Sequence, residues 1–337
     1  MFLKLLTIAL LATIVASQLT SDQQQEEERI FNIWLKKHGI EVPQNADFNK
    51  WKSNVIKQYR KIETHNSDFR KGVALFEREI NHFSHMSPEE FKASLIGFDK
   101  PKDDYGLLPV VTADATKNLP DYWNWNDKGI VHKVQQQGGC GSCYVFATIG
   151  VIEAHACLYN NICEKLSEQE GLECSDTGCN AGKDEYIYTY TQQKSGATYG
   201  NYTYEAKQVN TCDAADSRPR VPGTKVTGWQ RMPPDAETIR FYLYNNGPMY
   251  VIFDIHENFK EYKRGIYSFT EGPALGCHCV LLVGYGTENG VGYWIFKNSW
   301  GPGFGEGGYF RVKRGENIAN TEAYYPSYPV LDAVTKA

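Results

Sequence analysis

All nine cysteines of this 337-residue chain lie beyond residue 139. Covalent cross-links are therefore confined to the C-terminal part, and the part before it must hold together without them. Nine is too many for a typical cytosolic enzyme and too few for a disulfide mini-scaffold. It is also odd, so at least one thiol cannot pair within the chain. The length allows about two domains or one large one. With 42% hydrophobic and 22% charged residues the composition is globular. Lys+Arg of 35 against Asp+Glu of 40 gives −5, which argues against nucleic acid as the main partner.

Residues 1–17 read as a secretory signal peptide. Lys4 supplies a basic start, Leu5 to Val15 an apolar run too short to span a bilayer comfortably, and Val15-Ala16-Ser17 small residues for cleavage. A buried N-terminal helix or an uncleaved anchor is the alternative. No later stretch has the length and apolarity of a membrane helix, so no stable membrane insertion is expected. The mature chain would enter the secretory pathway, where disulfides form. Asn201-Tyr202-Thr203 fits a glycosylation sequon.

Residues 26–97 are charged, free of cysteine and mainly helical in pattern. A polar linker follows, Lys100-Pro101-Lys102-Asp103-Asp104-Tyr105-Gly106. From residue 119 the texture divides again. Residues 143–158 form an apolar run without proline, expected as a buried helix, and 183–194 suggest a second. After about residue 225, short β-type runs begin at Met249, His278 and Gly292. The expectation is an α+β fold with a helical half, a β-rich half and a cleft between them.

The chemistry centres on Cys143. Gln137-Gly138-Gly139-Cys140-Gly141-Ser142-Cys143 opens the apolar helix, and a thiol at a helix N-terminus is biased toward the nucleophilic thiolate. A redox Cys140–Cys143 pair would need a thioredoxin-like context, which is absent. A zinc site would have to draw on Cys277-His278-Cys279. A thiolate working in acyl transfer needs a base and a group that orients the base. Four histidines are available after residue 119. His155 lies inside the apolar helix and reads as structural, and His132 and His256 read as surface residues. His278 opens a strand-like run, with Lys297-Asn298-Ser299-Trp300-Gly301 following.

In order and spacing these segments resemble the papain-like cysteine proteases, and the cathepsin L-like group in particular. The resemblance also covers Asn81-His82-Phe83, Met86-Ser87-Pro88-Glu89-Glu90-Phe91, Leu119-Pro120-Asp121-Tyr122-Trp123, Leu166-Ser167-Glu168-Gln169-Glu170, Gly178-Cys179-Asn180-Ala181-Gly182 and Phe304-Gly305-Glu306-Gly307-Gly308-Tyr309. It implies a two-lobed fold, with a helical left lobe and a β-barrel-like right lobe, preceded by a helical inhibitory propeptide. The propeptide would span 18–118 and the peptidase domain 119–337, divided into lobes of about 119–225 and 226–337. Cys143 would be the nucleophile and His278 its ion-pair partner and acid. Asn298 would orient the imidazole, Trp300 shield it, and Gln137 donate to the oxyanion. Gly182 and Ala181 would line the substrate cleft. No cofactor or metal is implied. The partners implied are protein or peptide substrates, the chain's own propeptide and cystatin-type inhibitors, with a monomeric enzyme that is secreted or lysosomal. A catalytically impaired binding homologue is the alternative.

The resemblance further implies the bridges Cys140–Cys179 and Cys174–Cys212. A third bridge frequent in the family has Gly272 and Asn320 at its two places here. Cys157 and Cys163 flank a turn signal at Tyr159-Asn160-Asn161 and are read as a pair, with two free buried thiols as the alternative. Cys277 and Cys279 have no role in this reading. Other departures from the family pattern are Tyr144 for Trp, Ala181 for Gly, Lys183-Asp184-Glu185 for apolar residues of the specificity pocket, and His85 for Asp.

Overall fold

The computed structural model describes residues 21–95, 118–196, 202–209, 211–212 and 218–333. The leader at 1–17, the linker at 100–106 and Asn201 lie outside the described residues.

In the N-terminal part a helix over residues 21–38 (α1) meets α2 (Phe48–Arg70), and Phe31, Trp34 and Val55 form a small core between them. Asp47 starts α2 by accepting the Lys50 N–H at 2.9 Å. The Met86-Ser87-Pro88-Glu89-Glu90 segment explains the start of α3 (Pro88–Leu95). The Ser87 hydroxyl accepts from Glu90 N–H at 3.2 Å, and the Glu90 carboxylate accepts from Ser87 N–H at 2.8 Å. With Pro88 at the first helical position, this is a reciprocal capping box.

The N-terminal part is mainly helical, as the sequence pattern suggested, but the chain between α2 and α3 adds a strand. Phe76–Arg78 form a strand, β1, whose partner lies far along the sequence, so no local signal announces it. The remaining strands are β2 (Trp123–Asn124), β3 (Val226–Arg231), β4 (Met249–Ile255), β5 (Tyr262–Tyr267), β6 (Gly276–Glu288), β7 (Val291–Lys297), β8 (Tyr309–Lys313) and β9 (Ser327–Leu331). Their order is β1-β5-β8-β7-β6-β4-β9-β3, with β2 added on β6. Among the described residues only β5 and β8 pair in parallel. Two glycines let the added strands approach. A Cβ at Gly265, where φ is +96°, would lie 2.4 Å from the Leu75 carbonyl oxygen, and one at Gly284 would lie 2.4 Å from that of Trp123.

The helices α4 (Cys143–Asn160), α5 (Glu168–Glu173) and α6 (Asp184–Gln193) fall within 119–225. The division at 225 is nonetheless not clean. β2 pairs with β6, and Trp125 Nε1 donates to the Leu243 carbonyl at 2.6 Å, so the segment after residue 119 packs on the β-rich part. That part carries two helices of its own, α7 (Ala236–Asn246) and α8 (Glu257–Lys260). α4 is buried on nearly every face, from Cys143 through Ala156, which fits a central helix wedged against β6.

Candidate active site

The loop leading into α4 is fixed before the helix begins. Cys140 is bridged to Cys179, and Gly141 N–H donates to the Cys179 carbonyl at 3.1 Å. Cys143 is the first residue of α4, so its sulfur sits where the helix presents unpaired N–H groups and a positive dipole end. Two distant segments close around it. Gln137 N–H donates to the Ser299 carbonyl at 2.8 Å, Ser299 Oγ donates to Gln137 Oε1 at 2.6 Å, and Gly301 N–H donates to the Gln135 carbonyl at 2.9 Å. Gln137 Nε2 in turn donates to the Cys140 carbonyl at 2.9 Å. Ser299 is thus a positioning residue that the sequence reading did not single out, although it lies inside the Asn298-Ser299-Trp300 segment.

His278 on β6 is fully buried, with Nε2 2.8 Å from Asn298 Oδ1. That oxygen also accepts the Ser299 N–H at 2.8 Å, which fixes the amide orientation because a backbone N–H can only donate. His278 Nε2 must therefore carry the hydrogen. In the neutral ring Nδ1 is then left with a lone pair to take a proton. The Trp300 ring lies 4.7 Å from the imidazole and Phe253 lies 5.8 Å away, which keeps water off the His278–Asn298 bond. The Cys143 thiol is held well below its ordinary range. A hydrogen bond with the Cys279 thiol contributes most, followed by the charge of His278, against an opposing push from burial. Burial and the neighbouring Cys143 push the Cys279 thiol the other way, well up.

The remaining candidate residues pack beside the start of α4. Tyr144, standing for the family's Trp, is buried. Its hydroxyl donates to the Gly178 carbonyl at 2.9 Å and pairs with Ser175 Oγ, anchoring the 175–182 loop. Gly182 lies against this ring: a Cβ there would meet the Tyr144 ring at 2.6 Å. Ala181 has φ of +68°, so the cost of replacing glycine is backbone strain as well as a methyl on the wall.

Cysteine pairing in the structure is Cys140–Cys179, Cys157–Cys163 and Cys174–Cys212, with Cys143, Cys277 and Cys279 free and buried. Because Cys140 is bonded to Cys179, it is not available as a redox partner or a zinc ligand beside Cys143. At the place of the absent family bridge, Asn320 Nδ2 donates to Asp254 Oδ2 at 2.7 Å, while Tyr324 and Cys277 reach Asp254 Oδ1 at 2.8 and 3.3 Å. The structure does not bring the other histidines to Cys143. His155 Nε2 bonds the Pro248 carbonyl at 2.9 Å, and burial holds its pKa down at about 4. His132 and His256 are half-buried. Among the described residues no group of three or more His, Cys, Asp or Glu could hold a metal ion, and no helix is long and apolar enough to cross a membrane.

The N-terminal part covers this centre. Phe83 and Phe91 meet the Trp300 ring edge-on at 5.4 and 5.5 Å. Asn81 Nδ2 donates to the Lys260 carbonyl at 2.7 Å, and Lys260 Nζ returns a bond to the Met86 carbonyl at 3.0 Å. Arg78, itself buried, pairs with the fully buried Glu261 at 3.0 Å.

Residues 119–330 match the papain family cysteine protease domain, and residues 31–91 the cathepsin propeptide inhibitor domain. Fruit bromelain of Ananas comosus is 33% identical over 319 residues, covering 91% of this chain and 87% of its own. Cathepsin L of Sarcophaga peregrina is 30% identical over 342 residues, covering 96% and 98%. The digestive procathepsin L2 proteinase of Tenebrio molitor larval midgut superposes with a TM-score of 0.79 at 28% identity, over 90% of this chain and all of that one. The chain thus belongs to the papain family of cysteine proteases, as a cysteine endopeptidase of zymogen type with a cathepsin propeptide inhibitor domain.

Proposed function

We propose that Cys143, His278, Asn298 and Gln137 carry the peptidase reaction, and that residues 18–118 hold it off until they are removed. The observation that carries this reading is the buried cluster in which Asn298 fixes the His278 tautomer while the Cys143 sulfur is drawn toward thiolate. The thiolate attacks the peptide carbonyl carbon. The oxyanion that forms takes hydrogen bonds from the Gln137 side-chain amide and the Cys143 backbone N–H, each such donor being worth about 10²–10³ in rate. The His278 imidazolium passes its proton to the leaving amine, leaving a thioester. His278 then takes a proton from water, and the resulting hydroxide equivalent releases the acid and regenerates the thiol. In the precursor, Phe83 and Phe91 sit on Trp300 and β1 extends the enzyme's sheet, so the inhibitor is docked by both side chains and backbone.

The leader and the disulfides favour a secretory route, ending outside the cell or in a lysosome. The test is to express the precursor, acidify it and assay a fluorogenic peptide. Thiol-dependent, E-64-sensitive hydrolysis that appears with propeptide removal and is absent in Cys143→Ser is expected. An intact, processed protein with no such hydrolysis defeats the reading and favours the binding homologue.

A further inference from the structure

The edge of β5 is paired in the precursor by the propeptide alone. β1 lies antiparallel on it, setting Phe76 against Gly265, Glu77 against Arg264 and Arg78 against Tyr262. Ile266 N–H donates to the Leu75 carbonyl at 2.8 Å, and Glu79 N–H donates to the Glu261 carbonyl at 2.9 Å. Each β1 side chain meets different chemistry on the enzyme. Phe76 is fully buried and belongs to the enzyme's main core, its ring 5.0 Å from Tyr267, 5.1 Å from Phe269 and 6.4 Å from Tyr262. The Glu77 carboxylate accepts from Arg264 Nε at 2.6 Å and from Lys263 Nζ at 3.0 Å. Arg78 reaches Glu261 at 3.0 Å and Glu271 at 3.2 Å. Five residues further on, Phe83 stands on Trp300, which lies beside His278.

We propose that in the mature enzyme this edge is an exosite, which captures an extended segment of a protein substrate carrying an aromatic, an acidic and a basic residue in succession. The inference rests on the reading that activation removes residues 18–118. Removal leaves the N–H and C=O groups of β5 unpaired, and an open edge is a template for another strand. It also uncovers the rings of Tyr262, Tyr267 and Phe269, the last already 38% exposed in the precursor. The Glu261 carboxylate loses Arg78 and keeps Lys260 Nζ at 3.6 Å. An aromatic, an anion and a cation at successive positions answer these three needs together. The same residues in another order would set a charge against the rings or like charges against Glu261 and Arg264, so the site selects a sequence as well as a strand. Its place gives it a use. Phe76 to Phe83 is seven residues, at most about 25 Å of extended chain. A substrate held at β5 therefore keeps its neighbouring segment close to the catalytic centre, at raised effective concentration. Capture away from the reacting bond is uniform binding, which lowers KM and leaves kcat unchanged.

The first arm of the test reads binding. Processed enzyme, separated from its propeptide and blocked with E-64, is titrated with a fluorescein-labelled peptide of residues 73–80 and followed by anisotropy. Saturable binding is expected. Phe76→Ala in the peptide should weaken it roughly tenfold or more, and Glu77→Lys by less than about fivefold, because Arg264 and Lys263 are solvent-exposed. No binding, or equal binding of a peptide with the triplet scrambled, overturns the proposal. The second arm reads catalysis. A cleavable protein segment carries the triplet or its scramble on a flexible linker, at either end. The triplet at one end or the other should lower KM about fivefold with kcat unchanged. Free 73–80 peptide should compete with that substrate and not with a short fluorogenic peptide. Equal KM for triplet and scramble at both ends overturns the exosite. Equal inhibition of both substrates does so too, since it places the peptide in the catalytic cleft. Anisotropy does not require turnover. A processed protein that binds the triplet but does not hydrolyse fails the peptidase reading and leaves the exosite standing. One that hydrolyses and ignores the triplet does the reverse.

Discussion

The two parts of the chain hold their shape by different means. The catalytic part carries all three disulfides, and every described non-glycine residue with positive φ, including Ala181, Asn161 and Tyr325, lies within it. The propeptide has no cysteine, and its own positive-φ positions are the glycines Gly39 and Gly72. Its private core is three side chains, Phe31, Trp34 and Val55, and its helices are laced by exposed pairs such as Arg29–Glu26 and Arg60–Glu27 that contribute little in salt. What fixes it is the surface it covers: β1 on β5, Arg78 on Glu261, and Phe83 and Phe91 on Trp300. The difference teaches that the enzyme is cross-linked within itself, whereas the inhibitor, with its small private core, leans on the surface it covers. A change at the contact should release it.

The sharpest separation of the two roles is Cys143→Ser. It removes the sulfur while leaving every docking contact of the propeptide, so activity should fall by about 10⁴-fold or more. Acidified precursor should then stay full length on a gel. Cleavage at the parental rate would mean that another protease removes the propeptide.

Docking itself is probed by Arg78→Ala. The substitution leaves Glu261 buried, with only Lys260 Nζ at 3.6 Å to offset it. Breaking a buried pair from one side costs about 3–5 kcal/mol, and the Lys260 contact favours the lower end. The precursor should leak activity at neutral pH, where the parent is expected to be silent. An equally silent variant would show that the aromatic contacts with Trp300 suffice.

Much of this site is legible in the sequence because family resemblance turns local strings into roles. Gln137, Cys143, His278 and Asn298 each stand in a short recognisable segment, and α4 shows itself as an unbroken apolar run. What the string hides is non-local. β1 is three residues long and exists only because Gly265 admits it. Where β6 passes α4, and the register of β4 that sets Phe253 opposite His278, are equally invisible in any local string. The left-handed backbone at Ala181 is hidden for a different reason: alanine there is the residue least suited to announce it.

Acid should act on the propeptide side of the comparison. His82 and His85 line a cavity of about 310 Å³ against Gln136, Gly138 and Gly139, with His38 near enough to act on His82. His82 is held at about 4, mainly by burial and then by His38 and His85. Burial also lowers the other two, in a setting that includes Lys37, Glu79, Glu90 and Lys260. A depressed histidine pKa makes docking stability complete above the free value of 6.5 and progressively lost as pH falls toward 4. His82 alone accounts for at most about 3 kcal/mol of that loss. His82→Asn should therefore push the midpoint of processing to lower pH, read as the rate of propeptide loss across this window. An unmoved midpoint would place the acid response elsewhere.

The smallest effect belongs to the strained wall of the enzyme. Ala181 sits at φ +68°, where a Cβ costs about 1–2 kcal/mol. Glycine would remove that cost but loses about 0.4–1 kcal/mol through its freer unfolded chain. The balance favours Ala181→Gly by up to about 1.6 kcal/mol, at about 2–4 °C in melting temperature per kcal/mol for a domain of this size. The methyl is 5% exposed, so its packing opposes the gain. A melting temperature that stays level or falls would show that packing of the cleft wall outweighs the backbone strain. The enzyme would then hold its unusual alanine for contact, at a position where the propeptide's own turns at Gly39 and Gly72 use glycine and carry no such strain.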